Sequence, residues 1–219
     1  MNRVLITGTD TGVGKTWMAC ALARALAGAG RSVVAVKPVE SGCGDAPSPE
    51  EDGVRLAAAT GQRTPPRALR RFRAPIAPAV AADREGGAID LDDLVAEIES
   101  LTAKADVVLL EGAGGLLSPC AWDWSQVDLA QALQATALVM TSDRLGSINH
   151  TLLTLSALDL AGLRVAGIVV SAPAVTDESS GGNGPAIARL SGIERVCAVP
   201  RAAEPAPTSP WLMEVAGWL

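Results

Sequence analysis

The sequence predicts an α/β fold in three layers, in which a mostly parallel sheet carries helices on both faces. Short runs rich in Val, Ile and Leu alternate along the chain with Ala- and Leu-rich stretches of helical length. A Gly-rich turn joins the first such strand to the first such helix. The 219 residues are 48% hydrophobic and 19% charged, a composition that buries a sizeable core, and we expect one domain over residues 1–219.

The first three elements are predicted to form a βαβ unit. Residues 3–7 (RVLIT) are typical of a short buried strand, and the Ala- and Leu-rich residues 15–29 of a helix that stops near Gly28. Residues 32–36 form the second predicted strand. Two strands joined through a helix run parallel, because the crossover returns the chain to the same edge of the sheet.

The same alternation continues to the end of the chain. Helices are predicted over residues 91–104, with Asp90 as the N-cap, and over residues 147–160. Residues 173–185 are expected to form a mobile surface loop, and residues 65–78 an irregular segment rich in Arg and Pro. Further strands are predicted at residues 106–110, 137–140, 165–170 and 195–199.

Charge and composition exclude several classes of function. A net charge of −6 argues against a protein that binds the phosphate backbone of nucleic acids. No uncharged apolar run reaches the roughly 18 residues that cross a bilayer, and no apolar signal segment opens the chain. The four cysteines contain no C-x-x-C pair. We therefore expect a cytoplasmic protein with reduced thiols and no nucleic-acid or membrane partner.

The scarce residue types narrow the chemistry further. His150 is the single histidine, which excludes a zinc site built on several imidazoles. Any Ser-His-Asp triad would have to use it, and we expect it to support a helix start instead. The chain has three lysines against fifteen arginines. This bias directs attention to Lys15 and Lys37, because a lysine retained against it indicates a position that needs a compact ammonium.

Residues 8–16 read GTDTGVGKT, between a predicted strand and a predicted helix, and this is a phosphate-binding loop of Walker type. Small residues let successive backbone N–H groups point at phosphate oxygens, and the helix adds the positive end of its dipole. Lys15 is placed to reach the β- and γ-phosphates, and the Thr16 hydroxyl to bind Mg²⁺. Strict spacing requires glycine where the chain has Thr9, so an accidental Gly-rich turn is the alternative. The loop makes the predicted fold P-loop NTPase-like.

Two further segments follow strand ends. Residues 109–115 read LLEGAGG and put Glu111 at the end of a strand beside the first, where it is a candidate Mg²⁺ ligand. A turn-capping role for this acid is the alternative. Residues 37–42 read KPVESG, and Lys37 projects into the same crevice as Lys15. Two ammonium groups there require an anion between them, unless Lys37 is simply solvated.

Four blocks together resemble the dethiobiotin synthetase family. They read TGTDTGVGKT at 7–16, KPVESG at 37–42, EGAGG at 111–115 and LGSINH at 145–150. The resemblance implies a ligase of biotin biosynthesis, which makes the ureido ring of dethiobiotin from 7,8-diaminononanoate, CO₂ and ATP with Mg²⁺. It also implies a homodimer with the substrate bound near the subunit interface.

The resemblance carries site residues over to this chain. It implies a catalytic group of Thr11, Lys15 and Lys37. It implies a metal group of Thr16, Asp52 and Glu111, with Glu51 as the rival of Asp52. The implied substrate contacts are Ser41 and, from the second subunit, Ser147, Ile148 and Asn149, as N-terminal amides and a side-chain cap. The implied nucleotide contacts are Gly12, Val13, Gly14, Lys15, Thr16, Trp17, Asp52, Glu111, Gly112, Ala113, Gly114, Ser171 and Pro200.

Three positions depart from the family pattern. Gly12 stands where some members carry an acid, and Ser171 stands where the family reads the base with Asn. Serine lacks the paired donor and acceptor of an amide, so the base preference stays open. In the later nucleotide-binding turn, at residues 200–202, only Pro200 carries the resemblance.

Other functions remain open at this point. A partition-type or septum-site ATPase has the same kind of loop but carries an extra lysine where this chain has Asp10. A synthetase of the cobyrinic acid amidase kind would need a glutaminase domain, for which the chain has no room. A family member that binds nucleotide without turnover is the third alternative.

Overall fold

A computed structural model gives the fold, and it describes residues 1–202 and 206–219. The strands among these residues are β1 (Asn2–Gly8), β2 (Val33–Val36), β3 (Val39–Ser41), β4 (Arg70–Phe72), β5 (Val107–Glu111), β6 (Thr136–Ser142), β7 (Val165–Ser171) and β8 (Val196–Val199). The helices are α1 (Lys15–Gly28), α2 (Asp52–Thr60), α3 (Pro78–Glu85), α4 (Leu91–Thr102), α5 (Gln126–Ala132), α6 (Ser147–Leu160), α7 (Asn183–Ser191) and α8 (Pro210–Ala216).

Six of the strands form one parallel sheet in the order β2-β5-β1-β6-β7-β8. The short strands β3 and β4 form a separate parallel pair. Because successive side chains of a strand point to opposite faces, this sheet presents two apolar surfaces. In β1, Val4 and Ile6 belong to one buried cluster and Leu5 to the other.

Helices cover both surfaces, which confirms the predicted three-layer arrangement. The cluster around Ile6 includes Met18 of α1, Leu56 of α2 and Leu212 of α8. The cluster around Leu5 includes Leu94 of α4, Leu129 of α5, Leu158 of α6 and Ile187 of α7. Both faces of the sheet are therefore dry, as the apolar strand sequences predict.

Strand register brings the predicted site residues to one edge. Ile6 of β1 lies opposite Glu111, the last residue of β5. Val36 of β2 lies opposite Leu110, so Lys37 leaves the sheet beside Glu111. The carboxyl ends of parallel strands share an edge, so the phosphate loop after β1 opens at the same place.

The predicted strands and helices are present with small shifts at their ends. Asp90 caps α4 as predicted, since its side chain accepts a hydrogen bond from the Asp93 amide at 2.9 Å. Two loop predictions were wrong in part. Residues 65–78 contain β4, which at three residues is too short to show alternation. Residues 183–185 of the predicted loop open α7, where Pro185 falls in the first turn and its missing N–H is harmless.

No helix in the described ranges combines the length and the apolar character needed to pass through a bilayer. The four cysteines are free and buried, as predicted for reduced thiols. Burial raises the pKa of the Cys120 thiol to about 12, so this thiol is not a reactive nucleophile.

Candidate active site

The loop between β1 and α1 is built to receive an anion. Gly12 and Gly14 have φ angles of 75° and 94°, in the left-handed region that favours glycine. Gly14 is the N-cap of α1, and no described side chain caps that helix start. The first N–H groups of α1 are therefore available to phosphate oxygens. Because Gly12 adopts a left-handed backbone, a residue with a Cβ would be strained at this position.

The Lys15 side chain folds back against the loop that precedes it. It is buried, and its Nζ donates to the Asp10 carbonyl oxygen at 2.9 Å. Burial, with a contribution from the nearby Lys37 ammonium, lowers the pKa of Lys15 to about 8. A bound phosphate would place a negative charge beside this ammonium and so favour its protonated form.

Four side chains meet beside the loop, three from α1, α2 and β5 and one from the segment between β2 and β3. The Thr16 hydroxyl oxygen lies 2.7 Å from both Asp52 Oδ1 and Glu111 Oε1. Lys37 Nζ donates to Asp52 Oδ2 at 2.8 Å and to Glu111 Oε1 at 2.7 Å. Lys37 is 4% exposed, so the alternative of a solvated lysine was wrong. The anions that this lysine requires are two carboxylates of the chain itself.

Burial and charge act in opposite directions on this cluster. Burial alone would lower the pKa of Lys37, but the Glu111 and Asp52 carboxylates outweigh it and raise that pKa well above its usual value. Burial would raise the pKa of Asp52, yet Lys37 and Thr16 hold it below its usual value. Complete burial raises the pKa of Glu111, against the attraction of Lys37. Lys37 therefore stays a cation and cannot act as a base near neutral pH.

The oxygens of Thr16, Asp52 and Glu111 could hold a divalent cation. Glu111 is 1% exposed, and its Oε2 has no hydrogen-bond partner among the described residues. A buried carboxylate oxygen without a partner is costly, and hard oxygen ligands suit Mg²⁺. Glu51, the rival of Asp52, is turned away and makes a bidentate ion pair with Arg71 at 2.6 and 2.9 Å.

The Gly-rich segment after β5 lies against the phosphate loop. Lys37 Nζ reaches the Gly112 carbonyl at 3.4 Å, and a Cβ on Gly114 would lie 3.6 Å from Thr11 Oγ1. Gln126 braces this segment, because its amide donates to the Ala113 and Gly115 carbonyls at 2.5 and 2.8 Å. Of the predicted contacts, Gly114 is thus brought beside Thr11, Gly112 beside Lys37 and Ala113 beside Gln126.

A cavity of about 820 Å³ opens on the other side of the loop. Its walls include predicted nucleotide contacts, namely Thr11, Gly12, Val13, Gly14, Trp17, Ser171 and Pro200. Ser171 Oγ lies 2.9 Å from the Val13 carbonyl and 3.1 Å from the Thr141 carbonyl. Its single hydroxyl proton therefore faces two backbone carbonyls, one of the loop and one of β6, and is not free to be donated to a base.

The predicted substrate contacts lie on two elements. Ser41 ends β3 and is half-buried. Ser147 is buried at the first position of α6, and its Oγ has no partner within the described residues. The side-chain cap expected among Ser147, Ile148 and Asn149 was wrong, because no described side chain makes a capping hydrogen bond at this helix start. Gly146 is the N-cap, and Asn149 is exposed on the third helical position.

Three features of the site were missed by the sequence reasoning. Gln126 braces residues 112–115, Glu40 accepts from the amides that open α2, and Arg144 pairs with Asp10 at 3.3 Å. Each joins segments distant in the chain, so no local pattern marks it. Only Glu40 had a sequence signal, because it lies within residues 37–42 (KPVESG), next to the predicted substrate contact Ser41.

Known proteins resemble this chain along most of its length. A model of the AAA domain family matches residues 2–208. An ATP-dependent dethiobiotin synthetase of Anaeromyxobacter dehalogenans is 42% identical over 203 residues, which cover 91% of this chain and 90% of that protein. The chain belongs to the dethiobiotin synthetase family. A member of the same name from Nitrosospira multiformis is 43% identical over 168 residues, covering 76% of this chain and 74% of that one.

Solved structures agree with dethiobiotin synthetase membership at the level of fold. The MinD cell division protein of Aquifex aeolicus superposes with a TM-score of 0.60 at 17% identity, covering 99% of this chain and 96% of that chain. A ParA family ATPase from Chlorobium tepidum gives a TM-score of 0.59 at 13% identity, covering 99% and 98%. At such identities the likeness shows a P-loop NTPase fold alone.

Proposed function

We propose that the protein is an ATP-dependent dethiobiotin synthetase, a C–N-forming cyclo-ligase of biotin biosynthesis. The observation that carries the proposal is the meeting of Lys37, Asp52, Glu111 and Thr16 beside the phosphate loop. In a member of this family, that cluster places the Lys37 ammonium next to the nucleotide site, where it can stabilise an anion other than the nucleotide.

We infer that the nucleotide binds with its phosphates on the N–H groups of the loop and α1, and its nucleoside in the 820 Å³ cavity. Lys15 pairs with the terminal phosphates. Thr16, Asp52 and Glu111 would hold Mg²⁺, which when bound neutralises charge on the β- and γ-phosphates. ATP is the proposed co-substrate. Other nucleoside triphosphates are worth assaying, because the Ser171 hydroxyl already faces the Val13 and Thr141 carbonyls.

The first step makes a carbamate. A neutral amine of 7,8-diaminononanoate forms an N–C bond to CO₂ and releases a proton. An alkyl amine has a pKa near 10, so only about one in a thousand is neutral at pH 7. Burial of that amine beside Lys15 and Lys37 lowers its pKa and favours its neutral form. Lys37 then stabilises the carbamate anion.

The second step transfers the γ-phosphoryl group. The carbamate oxygen forms a bond to phosphorus while the bond to the bridging oxygen breaks and ADP leaves. The loop N–H groups and Lys15 stabilise the charge that spreads over the phosphoryl oxygens. Thr11, which belongs to the loop and lies beside Gly114, is near the transferred group in this proposal.

The third step closes the ring. The second amine attacks the carbonyl carbon, the carbon–oxygen bond to phosphate breaks, and phosphate and a proton leave. Because both reacting groups belong to one bound molecule, positioning contributes several kcal/mol. No side chain of the protein becomes covalently attached.

We infer that the substrate sits near a homodimer interface. Thr9 and Asp10 of the phosphate loop and Leu153 of α6 line a second cavity, of about 510 Å³. Leu117 and Leu153 border it and are exposed. The start of α6 at Ser147, where no described side chain makes a capping hydrogen bond, offers amide donors to a carboxylate of the substrate. Ile148 and Asn149 complete the proposed substrate contacts, with Ser41 from β3.

Direct assay of the reaction tests this function. Purified protein is mixed with 7,8-diaminononanoate, bicarbonate and Mg²⁺, and with ATP, GTP, CTP or UTP in separate reactions. Mass spectrometry should detect dethiobiotin in at least the ATP reaction, with one phosphate released per ring. Nucleotide hydrolysis at a rate that does not depend on the diamine would favour an ATPase switch. Nucleotide binding without formation of dethiobiotin or release of phosphate would indicate a family member that has lost turnover.

A further inference from the structure

The start of α2 determines where Asp52 points. Asp52 is the first residue of this helix, and the N-cap Glu51 makes no side-chain capping bond. The first amides of a helix need acceptors from elsewhere when the N-cap supplies none. Here they find one on a different element.

Glu40 of β3 supplies that acceptor. Its Oε1 accepts from the Asp52 amide at 2.6 Å, and its Oε2 accepts from the Gly53 amide at 3.0 Å. Glu40 is 7% exposed, so both bonds are largely shielded from water. A carboxylate at a helix N-terminus also interacts favourably with the helix dipole.

Neighbouring contacts leave the helix start little room to move. A Cβ on Gly53 would lie 2.1 Å from the Ala68 nitrogen, so the backbones touch at this point. Glu51 is fixed by its ion pair with Arg71 of β4. The Glu40 carboxylate is therefore the tie between β3 and a helix start that is already packed on its other side.

The same strand carries the proposed substrate contact Ser41 and begins two residues after Lys37. Adjacent side chains of a strand point to opposite sides, so Glu40 and Ser41 contact different parts of the protein. Glu40 thus connects the strand of the substrate contact to the helix of the metal contact.

We propose that Glu40 is a positioning residue for the metal site, which fixes the start of α2 and thereby directs the Asp52 carboxylate toward Thr16 and Lys37. The proposal rests on the metal role proposed above for Asp52. A cation site at Glu40, Cys43 and Glu51, whose ligand atoms also lie close together, is not favoured. Both Glu40 oxygens are used by amides, and Glu51 is paired with Arg71.

Mn²⁺ binding to the full chain tests the proposal without depending on turnover. Mn²⁺ is titrated by electron paramagnetic resonance in the presence of a non-hydrolysable ATP analogue, for the wild type, Glu40→Ala and Glu40→Gln. Loss of a residue that orients a metal ligand weakens metal affinity by about 10- to 100-fold. We expect that loss in Glu40→Ala and a smaller one in Glu40→Gln, which keeps one acceptor oxygen. Binding of the analogue in EDTA should not change.

Glu97→Gln is the matched control. It removes a partly exposed ion pair of 2.7 Å with Arg70 on β4, the neighbour of β3. Its Mn²⁺ affinity should equal that of the wild type. If Glu40→Ala melts at a lower temperature but binds Mn²⁺ as tightly as the wild type, Glu40 is only a helix cap and the proposal is overturned. If Glu40→Ala does not fold, Glu40→Gln decides by the same comparison.

A double-mutant cycle separates this inference from the proposed function. If Glu40 acts through Asp52, Glu40→Ala should weaken Mn²⁺ binding little further once Asp52→Asn is present. Fully additive losses would contradict the positioning role. Unchanged Mn²⁺ affinity in Asp52→Asn alone would instead overturn the metal role of Asp52, whatever Glu40 does.

Discussion

At the scale of single residues, Lys37 is held as a cation by its own surroundings. Two carboxylates lie within 2.8 Å of its Nζ, and their attraction exceeds the effect of burial. A lysine in this state stabilises anions and does not exchange protons near neutral pH. Its proposed part in the reaction is therefore electrostatic, which makes charge the property to remove in an experiment.

Replacing Lys37 by Gln should reduce turnover far more than nucleotide affinity. Loss of one preorganised charge donor lowers kcat by about 10²- to 10³-fold in comparable sites. The free energy of unfolding should also fall by about 3 kcal/mol, because a buried carboxylate loses its partner. Dethiobiotin formation, calorimetric nucleotide binding and thermal melting measure the three effects. Lys104→Gln, at an exposed lysine, is the control. Failure of nucleotide binding with intact turnover per bound nucleotide would refute the assigned role.

The lowered pKa of Lys15 predicts that nucleotide binding depends on pH. Its pKa in the free protein is lowered to about 8, first by burial and then by Lys37. Phosphates bind the protonated form, so affinity should be constant below about pH 7 and fall by up to tenfold per pH unit above about pH 8. Fluorescence or calorimetric titration from pH 6 to 10 measures it. Lys15→Arg keeps its charge over this range and should lose the dependence. A wild-type affinity that does not change up to pH 9 would contradict the lowered pKa.

The sequence was sufficient to predict the site residues that belong to a local motif. Lys15 and Thr16 follow a strand and a glycine pattern, and Glu111 ends a strand just before another glycine pattern, so their meeting at one sheet edge could be predicted. The partners of Glu40 and Gln126 could not. Glu40 bonds to amides 12 and 13 residues away, and Gln126 bonds to Thr7 across 119 residues. Such contacts depend on how packed elements meet, and a single sequence carries no signal for them.

At the scale of elements, buried strands were predictable and short ones were not. Continuous apolar runs such as β5 leave few alternatives, because both faces of the sheet are covered. The strands β3 and β4 have three residues each and include charged side chains. They are stabilised by pairing with one another and by ion pairs such as Arg71 with Glu51, which appear only once the chain has folded.

The element α5 serves the site through one side chain. Gln126 accepts from Thr7 at 3.1 Å and donates to two carbonyls of the Gly-rich segment. Gln126→Glu keeps the shape but loses both donors, so it should destabilise the fold by about 2 kcal/mol and loosen residues 112–115. Thermal melting and hydrogen exchange of that segment measure these effects. Gln131→Glu, on the same helix and exposed, removes one surface bond to Ala161 and is the control. Equal exchange rates in the two variants would contradict a bracing role.

At the scale of the whole molecule, the parallel sheet gathers the site at one edge and leaves an apolar surface beside it. Leu117 and Leu153 lie on that surface around the smaller cavity and are exposed. Exposed apolar side chains that border a cavity are typical of an interface. A second copy of the chain placed there would cover these leucines and bring its own α6 toward the substrate, which connects assembly to substrate binding.

In the proposed homodimer, Leu153→Asp should therefore separate the two copies and also weaken substrate binding. Leu153 is 61% exposed, so the change should hardly affect the fold of one copy. Each leucine buried in an interface contributes about 1.5–3 kcal/mol, and a symmetric dimer loses two, which raises the dimer Kd by at least about 100-fold. Light scattering across a dilution series measures assembly, and kinetics measure the KM for the diamine, which should rise while nucleotide affinity is kept. Leu160→Asp changes a leucine of the same helix that is 89% exposed and does not line the smaller cavity, so it should leave both quantities unchanged. A Leu153→Asp protein that stays dimeric with an unchanged KM would place the subunit interface elsewhere and leave α6 without a role in substrate binding.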